Sequence, residues 1–471
     1  MLFERFEDRG LSQYSYAVGC ARAGVVAIVD PRRDVDVYLD VAAAKKVRIT
    51  HVLETHIHAD FASGARELAE RAGAQYRPSG HDRGETYEVR VPHEDLRDGD
   101  AIELGSARLV ARHTPGHTPE HLSFLVYDTA RARDVPQLFL TGDFLFVGSL
   151  GRPDLLGEAA KAALAHQLFD SVRERVADLP DGVEVHPGHG AGSMCGAGMS
   201  ERPMSTLGFE RIANPYFNRR LSRDEFVHKI LTSVPPFPPY YARMKALNAE
   251  GPPILNGLPG LEPTPAARFR DLANRGHVVI DLRDQIGFGG GHIPAAFGIG
   301  AGQNLSTWAS WVVPYETPIL LVAGDPQLIP DAIRSLVRVG LDQVVGYLDG
   351  GMMSWTSAGF PTVTIEQVTP EVLRERLAGD RTLTMLDVRS EAEFQGGHID
   401  GAIHIMGGAL NDRVDELRGR GPIAVTCGTG YRSTVAASVL ERAGITDVIN
   451  LTGGMTAWVR AGLPVRTDAS P

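Results

Sequence analysis

The stretch THIHADF, residues 55–61, decides how the first half of this chain is read. It follows the apolar, β-branched run ITHVLE, so His56 and His58 fall where a strand passes into a loop. Two residues apart at such an end, both rings can converge on one point once the chain turns. HTPGHTPEH offers His113, His117 and His121, TGDF offers Asp143, and HPGHG offers His186 and His189. With 16 histidines in the chain, any one of them alone is explained as a surface or packed residue. Four strand-to-loop junctions carrying histidine or aspartate in one domain point instead to a metal cup on a scaffold edge.

The surrounding pattern supplies that scaffold. YSYAVG, GVVAIVD and ITHVLET read as strands with a short helix around 34–46, and GARELAERAG (64–73) as a helix. YEVRV, AIELG, ARLVARH, LSFLVYD and QLFLTGD read as further strands, then a helix over 156–177 and the strand of VEVHPGHG. Helices flanking a strand-rich middle predict an α/β layered sandwich. Residues 216–248 read as mostly helical, and GPPILNGLPGLEP (251–263) as a linker.

Beyond the linker the chain repeats itself. VVIDLRDQIGFGGGHIPAA (278–296) matches MLDVRSEAEFQGGHIDGA (385–402), PILLVAGD (318–325) matches PIAVTCGT (422–429), and VGYLDGGMMSWTSAGFP matches INLTGGMTAWVRAGLP. A period near 100 residues is too long for a solenoid unit and marks a duplicated small domain with a mostly parallel sheet. The second copy carries VTCGTGYRS at 425–433. A strand ending at Thr426 delivers Cys427 to a loop, and STVAASVLERAG has the composition of a helix. Small residues let the loop curl so that amides, a helix N-terminus and Arg432 surround the sulfur, an arrangement that favours a thiolate or a persulfide anion. In the first copy Ala323 stands opposite Cys427 and Leu328 opposite Arg432, so that copy is expected to be catalytically silent.

The chain has 471 residues, enough for several domains, with 43% hydrophobic and 22% charged residues. A net charge of -11 and the lack of a long basic run give no sign of a nucleic-acid partner. No secretory signal or membrane-length apolar segment is visible, and three sparse cysteines fit a cytoplasmic setting better than a disulfide framework.

HxHxD, the GH of TPGH, TGD and PGH together resemble the metallo-β-lactamase fold, an αββα sandwich. THIHADFASG, TGDFLFVGSLGRPD and HGAGSMCG resemble its persulfide dioxygenase branch, a relative of glyoxalase II. CGTGYRS, with GGxxAW and DVRSEAEFQGGHI, resembles the active loop and scaffold of rhodaneses; phosphatases of related shape also place cysteine and arginine on one loop. The whole chain is similar to persulfide dioxygenases fused to two tandem α/β rhodanese domains. That resemblance implies a dioxygenase domain with a helical extension over 1–250, a linker over 251–263, an inactive rhodanese-like domain over 264–362 and an active one over 363–471.

The resemblance also implies one mononuclear Fe(II) per chain on His56, His117 and Asp143, with His58, Asp60 and His189 orienting those ligands. Dinuclear hydrolases of the fold carry a histidine directly after the HxHxD aspartate, where this chain has Phe61, which cannot ligate. Arg152 matches a residue near the carboxylates of a bound glutathione, with a surface salt bridge as its other reading. Cys195 is a candidate catalytic gate or persulfide acceptor, or an inert buried cysteine. In the last domain Cys427 and Arg432 are the expected catalytic pair, and Gly428, Thr429, Gly430, Tyr431 and Ser433 the substrate cradle; Asp387, Arg389 and His398 lie in scaffold segments. The expected partners are a low-molecular-weight thiol persulfide, O2, and sulfite or thiosulfate, in a homo-oligomer without nucleic acid or membrane. The alternative is a glyoxalase II-like zinc thioester hydrolase with an accessory rhodanese.

Overall fold

The alternation in QYSYAVGC and VVAIV sorts their side chains onto two faces. Tyr16, Val18, Ala27 and Val29 turn to one side and meet Leu109, Ala111, Phe124 and Val126 from a second sheet. Ala17, Val26 and Ile28 turn to the other and meet Tyr38, Ala42 and Leu68 of two covering helices. The computed structural model describes residues 1–467. They divide into two units, Met1–Leu258 with Val337–Gly340, and Pro259–Leu336 with the residues from Leu341 onward.

In the first unit, the first sheet runs Leu2–Asp8, Gln13–Cys20, Val25–Val29, Arg48–Leu53, Gln75–Arg77 in spatial order; the first three strands are antiparallel and the last two join in parallel. The second sheet has the order Ser205–Thr206, Glu184–Pro187, Leu138–Gly142, Leu122–Asp128, Ala107–His113, Ala101–Leu104. Its outer face, with Leu125, Phe139 and Val185, is covered by Leu168 of the helix Glu158–Asp170 and by Phe226 and Ile230 of the helix Arg223–Ser233. The result is helix, sheet, sheet, helix, with the apolar core between the sheets.

Three local readings change. YEVRV at 87–91 is not a strand: the Val89 N–H donates to Asp82 and the Arg90 N–H to Ala249 O, so neither is free for a ladder. Leu2–Asp8, with charged residues at four of its seven positions, is an edge strand that the sequence pattern hides. The helix expected over 156–177 stops at Asp170 and continues as a π-turn, Ser171–Arg175.

The second unit holds two five-stranded, all-parallel sheets with the same strand order. One is Pro263–Thr264, Val344–Leu348, Ile319–Val322, Val278–Asp281, Phe297–Gly298, so Pro263, read as linker, already belongs to a strand. The other is Glu366–Val368, Val448–Leu451, Ile423–Thr426, Thr384–Asp387, Ile403–His404. ILLV, IAVT and VINL are buried at every position, as strands covered on both faces must be.

Glycine Gly454 shows how the last sheet seats its loop. It has φ +55°, and a Cβ there would lie 2.3 Å from the carbonyl oxygen of Cys427. Gly454→Ala should therefore lower the unfolding free energy by about 2–3 kcal/mol in urea titrations. Gly444→Ala, also left-handed at φ +84° but facing open space, should cost only about 1 kcal/mol. Equal losses would refute the steric account.

Candidate metal centre and cysteine loop

The metal cup is assembled at strand ends. His56 and His58 follow Arg48–Leu53, His117 follows Ala107–His113, Asp143 follows Leu138–Gly142, and His189 follows Glu184–Pro187. His56, His117 and Asp143 are buried and their ligating atoms lie within 4.8 Å of one another. His117 Nε2 is 3.4 Å and His56 Nε2 4.0 Å from Asp143 Oδ2. None of these three buried atoms has a hydrogen-bond partner. Three orphaned polar atoms turned to one point would be costly unless a cation satisfied them together.

Tautomers are fixed from behind. His117 Nδ1 faces the Arg152 carbonyl at 2.8 Å; a carbonyl only accepts, so Nδ1 carries the proton and Nε2 keeps its lone pair. The Thr55 hydroxyl donates to Asp30 Oδ2 at 2.9 Å and so accepts the Nδ1–H of His56 at 2.9 Å. Burial, then the neighbouring histidines, push His56 and His117 well below the usual imidazole range, which keeps them neutral and ready to ligate. Asp143 Oδ1 accepts from His189 Nδ1 at 2.8 Å, and His189 Nε2 donates to Asp60 at 2.7 Å. Burial opposes a charge on His189, but Asp143 and Asp60 outweigh it and raise its imidazole well above the ordinary value. His58 sits behind this set, with Nε2 3.2 Å from Asp30 Oδ1. Phe61 is fully buried with its ring 4.3 Å from that of His58.

A second group, Asp60, His189 and Cys195, also lies within 4.8 Å. Its histidine already spends both nitrogens on carboxylates. The Cys195 thiol is 3.8 Å from the Tyr241 hydroxyl. Burial first, then Asp60 and Asp143, push it well above the usual thiol range, which opposes the thiolate that a persulfide acceptor needs.

Arg152 requires a correction. It is neither a surface residue nor a free fork for a glutathione carboxylate: it is fully buried and paired with Asp154 at 2.6 and 2.8 Å. Its remaining N–H groups donate to the carbonyls of Met194, Pro235 and Pro236. It ties loops together and presents its own carbonyl to His117. Sequence reading also misses the groups that clasp the HxHxD loop. Lys245 donates to Ile57 O at 2.9 Å, Glu120 accepts from the Ile57 N–H at 2.9 Å, and Asn248 donates to the carbonyls of His58 and Phe61 at 2.8 Å. No local motif marks them.

The cysteine loop lies between Ile423–Thr426 and the helix Tyr431–Arg442. Cys427 is buried; the Gly430 N–H donates to its sulfur at 3.1 Å and the Ser433 hydroxyl lies 3.6 Å away. Thr429 is exposed at the loop tip and Gly428 partly so. Arg432 is paired with Glu393 through two contacts of 2.7 Å. Tyr431 departs from expectation: its hydroxyl donates to Gly300 O of the first copy at 2.9 Å, so it braces the loop instead of facing substrate. Asp387 holds Arg389 as a two-point ion pair, and His398 stacks on Phe394. In the first copy the corresponding loop holds Ala323 and a short turn, Pro326–Leu328.

The comparisons with known proteins agree with both halves. The Metallo-beta-lactamase superfamily matches residues 8–189, and the Rhodanese-like domain matches 265–358 and 369–461. A metallo-beta-lactamase crystal structure from Staphylococcus aureus has 36% identity and a TM-score of 0.67, covering 74% of this chain and 98% of that one. The chain therefore belongs to the metallo-beta-lactamase superfamily, in the form whose sequence continues into two rhodanese-like domains. Among curated proteins, it is 26% identical to the mitochondrial persulfide dioxygenase ETHE1 of Bos taurus, over 48% of this chain and 79% of that protein. It is 36% identical to a hydroxyacylglutathione hydrolase of Anaeromyxobacter dehalogenans over 40% of this chain, and spans 65% of that protein's length. No helix among the described residues is long and apolar enough to cross a membrane.

Thr55→Val should leave His56 in place but remove the acceptor for its Nδ1–H. Metal affinity, read by competition with a chromogenic chelator, should fall about 10–100-fold. An unchanged affinity would show that Thr55 does not orient the ligand.

Proposed function

We propose that this chain is a bifunctional sulfur enzyme: a mononuclear non-haem iron persulfide dioxygenase joined to a Cys427 sulfurtransferase. The observation that carries the first half is the convergence of His56 Nε2, His117 Nε2 and Asp143 Oδ2, three buried atoms without partners. Two imidazoles and one carboxylate suit Fe(II), and Phe61 withholds the donor a second metal would use. When bound, the iron supplies the redox chemistry that lets dioxygen react with sulfur.

The chain's own part is to hold that centre. His189 fixes Asp143 through Oδ1 and leaves Oδ2 free, while Thr55 and the Arg152 carbonyl keep the two imidazoles in the ligating tautomer. The net reaction proposed is R–S–SH + O2 + H2O giving R–SH, sulfite and two protons, with glutathione persulfide as the favoured substrate. At the second centre the Cys427 sulfur attacks the outer sulfur of a persulfide. The new S–S bond forms as the old one breaks, and R–SH leaves with the proton. Sulfite then takes that sulfur, thiosulfate departs, and Cys427 is restored. The Gly430 N–H and the helix N-terminus at Tyr431 face the negative charge that builds on the sulfur. The same steps reversed make persulfide from thiosulfate. A cytoplasmic enzyme that assembles as a homo-oligomer is part of this reading.

Anaerobically purified protein should contain about one iron per chain and consume oxygen on glutathione persulfide, and His117→Ala or Asp143→Ala should abolish both. Zinc at two per chain, thioester hydrolysis and no oxygen uptake would replace the dioxygenase with a hydrolase.

The two centres are separable. Cys427→Ser should remove thiosulfate formation from persulfide and sulfite while oxygen uptake stays within about twofold, since Cys427 lies in the other unit. Loss of both activities would refute two independent centres.

A further inference from the structure

Arg432 does not stand free over the cysteine loop. Its Nη1 and Nη2 donate to the two carboxylate oxygens of Glu393 at 2.7 Å each, and its Nη2 lies 3.0 Å from where a side chain at Gly428 would begin. Glu393 is held in turn by Ser390, whose N–H and hydroxyl donate to it at 3.1 and 2.9 Å as part of a capping box. Arg432 draws the Glu393 carboxyl down to about 2 against its partial burial, so the pair is ionised at neutral pH.

The duplicated domain provides the comparison. Asp281 and Arg283 repeat the pairing of Asp387 and Arg389, each at 2.6 Å, and each arginine donates at 2.7 Å to the glycine before the histidine, Gly291 or Gly397. Phe288 stacks on His292 at 3.8 Å as Phe394 does on His398 at 3.9 Å. Against that retained scaffold the loop is replaced: Cys427 and Arg432 become Ala323 and Leu328, with Thr429, Gly430 and Ser433 becoming Asp325, Pro326 and Ile329, and outside the loop Glu393 becomes Gly287. The helix itself does not need the glutamate, because Asp284 caps the equivalent helix by accepting the Gly287 N–H at 2.7 Å. Glutamate, arginine and nucleophile are present as a set or absent as a set.

We propose that Glu393 is a positioning and specificity residue of the Cys427 loop. It holds the Arg432 fork at the loop mouth and cancels its charge, so that the loop selects sulfur carried on an organic thiol over compact free dianions such as thiosulfate. This rests on the reading of Cys427 as the sulfur-transfer nucleophile.

Glu393→Gln tests it in the full chain, because glutamine preserves capping-box chemistry while removing the charge. One carboxylate charge facing a dianion at the loop mouth corresponds to a factor of about ten. In Glu393→Gln the KM for thiosulfate, with cyanide as acceptor, should fall about tenfold while kcat changes less. The KM for glutathione persulfide should move by less than about twofold, and the thiosulfate kcat/KM should become more salt-dependent. Glu393→Asp, which keeps the charge, should retain the wild-type preference. A second measurement does not depend on turnover: the ratio of Cys427 alkylation by anionic iodoacetate to that by neutral iodoacetamide, followed by peptide mass mapping, should rise several-fold in Glu393→Gln and stay put in Glu393→Asp. Unchanged ratios in Glu393→Gln, or equal changes in both variants, would overturn the proposal. If the wild type moves sulfur from neither donor, the sulfurtransferase reading falls, and the alkylation ratio still decides the role of Glu393.

Discussion

The first unit is organised around the need to satisfy one fully buried carboxylate. Asp143 has no solvent to share its charge with, and an unmatched charge in such a place costs several kcal/mol. Its two oxygens are met separately, Oδ1 by His189 and Oδ2 by the point that His56 and His117 also face. Meeting both demands requires the ends of four strands to come to one edge. It also requires backbone to approach from behind, hence Gly188 and Gly151. A Cβ at Gly188 would lie 2.6 Å from Asp143 Oδ1, and one at Gly151 would collide with the Asp143 carbonyl. Gly188 is therefore a consequence of the carboxylate, and Gly151 of the close approach of its loop to the Asp143 backbone and the His117 ring.

From that constraint it follows which parts of the site were legible in the sequence. Ligands and their immediate neighbours are chosen by chemistry, and few residue types can do the work, so THIHAD, TGD and PGH stand out against any background. Thr55, Asn248 and Lys245 act through a hydrogen bond to a backbone group or to a ligand's far nitrogen. Many residue types can make such a bond, and only the folded chain says which one does. Arg152 shows the opposite hazard: a conspicuous residue in a recognisable motif, whose side chain is consumed by Asp154 and three carbonyls while its backbone carbonyl does the positioning.

The fold divides along the same line. Strands buried on one face or both, such as VVAIV, LSFLVYD and IAVT, carry their burial in their composition. Leu2–Asp8 is an edge strand whose alternation is blurred by charge, and 87–91 has strand-like residues whose amides are claimed by Asp82 and Ala249. In both cases the deciding partner is distant in sequence, and local pattern has no access to it.

The duplication separates what the rhodanese-like fold needs from what its chemistry needs. Both copies keep a Gly-Gly pair at the start of the last helix, Gly350 and Gly351 or Gly453 and Gly454, all with positive φ. In the second copy the following amides hold the cysteine loop by its backbone: the Met455 N–H donates to Cys427 O at 2.7 Å and the Thr456 N–H to Gly428 O at 2.9 Å. In the first copy a Cβ at Gly351 would press on the carbonyl of Ala323 at 2.8 Å. The loop carbonyl approaches the same helix start whether or not the loop bears a nucleophile, so this motif answers to sheet and loop packing and does not report activity. Cys427, Arg432 and Glu393 are separable from that packing, because their absence in the first copy leaves Asp281, Arg283 and His292 in the same arrangement as their counterparts. The first copy keeps these scaffold contacts, and its Gly300 O also accepts from the Tyr431 hydroxyl of the second copy, so it braces the cysteine loop as well.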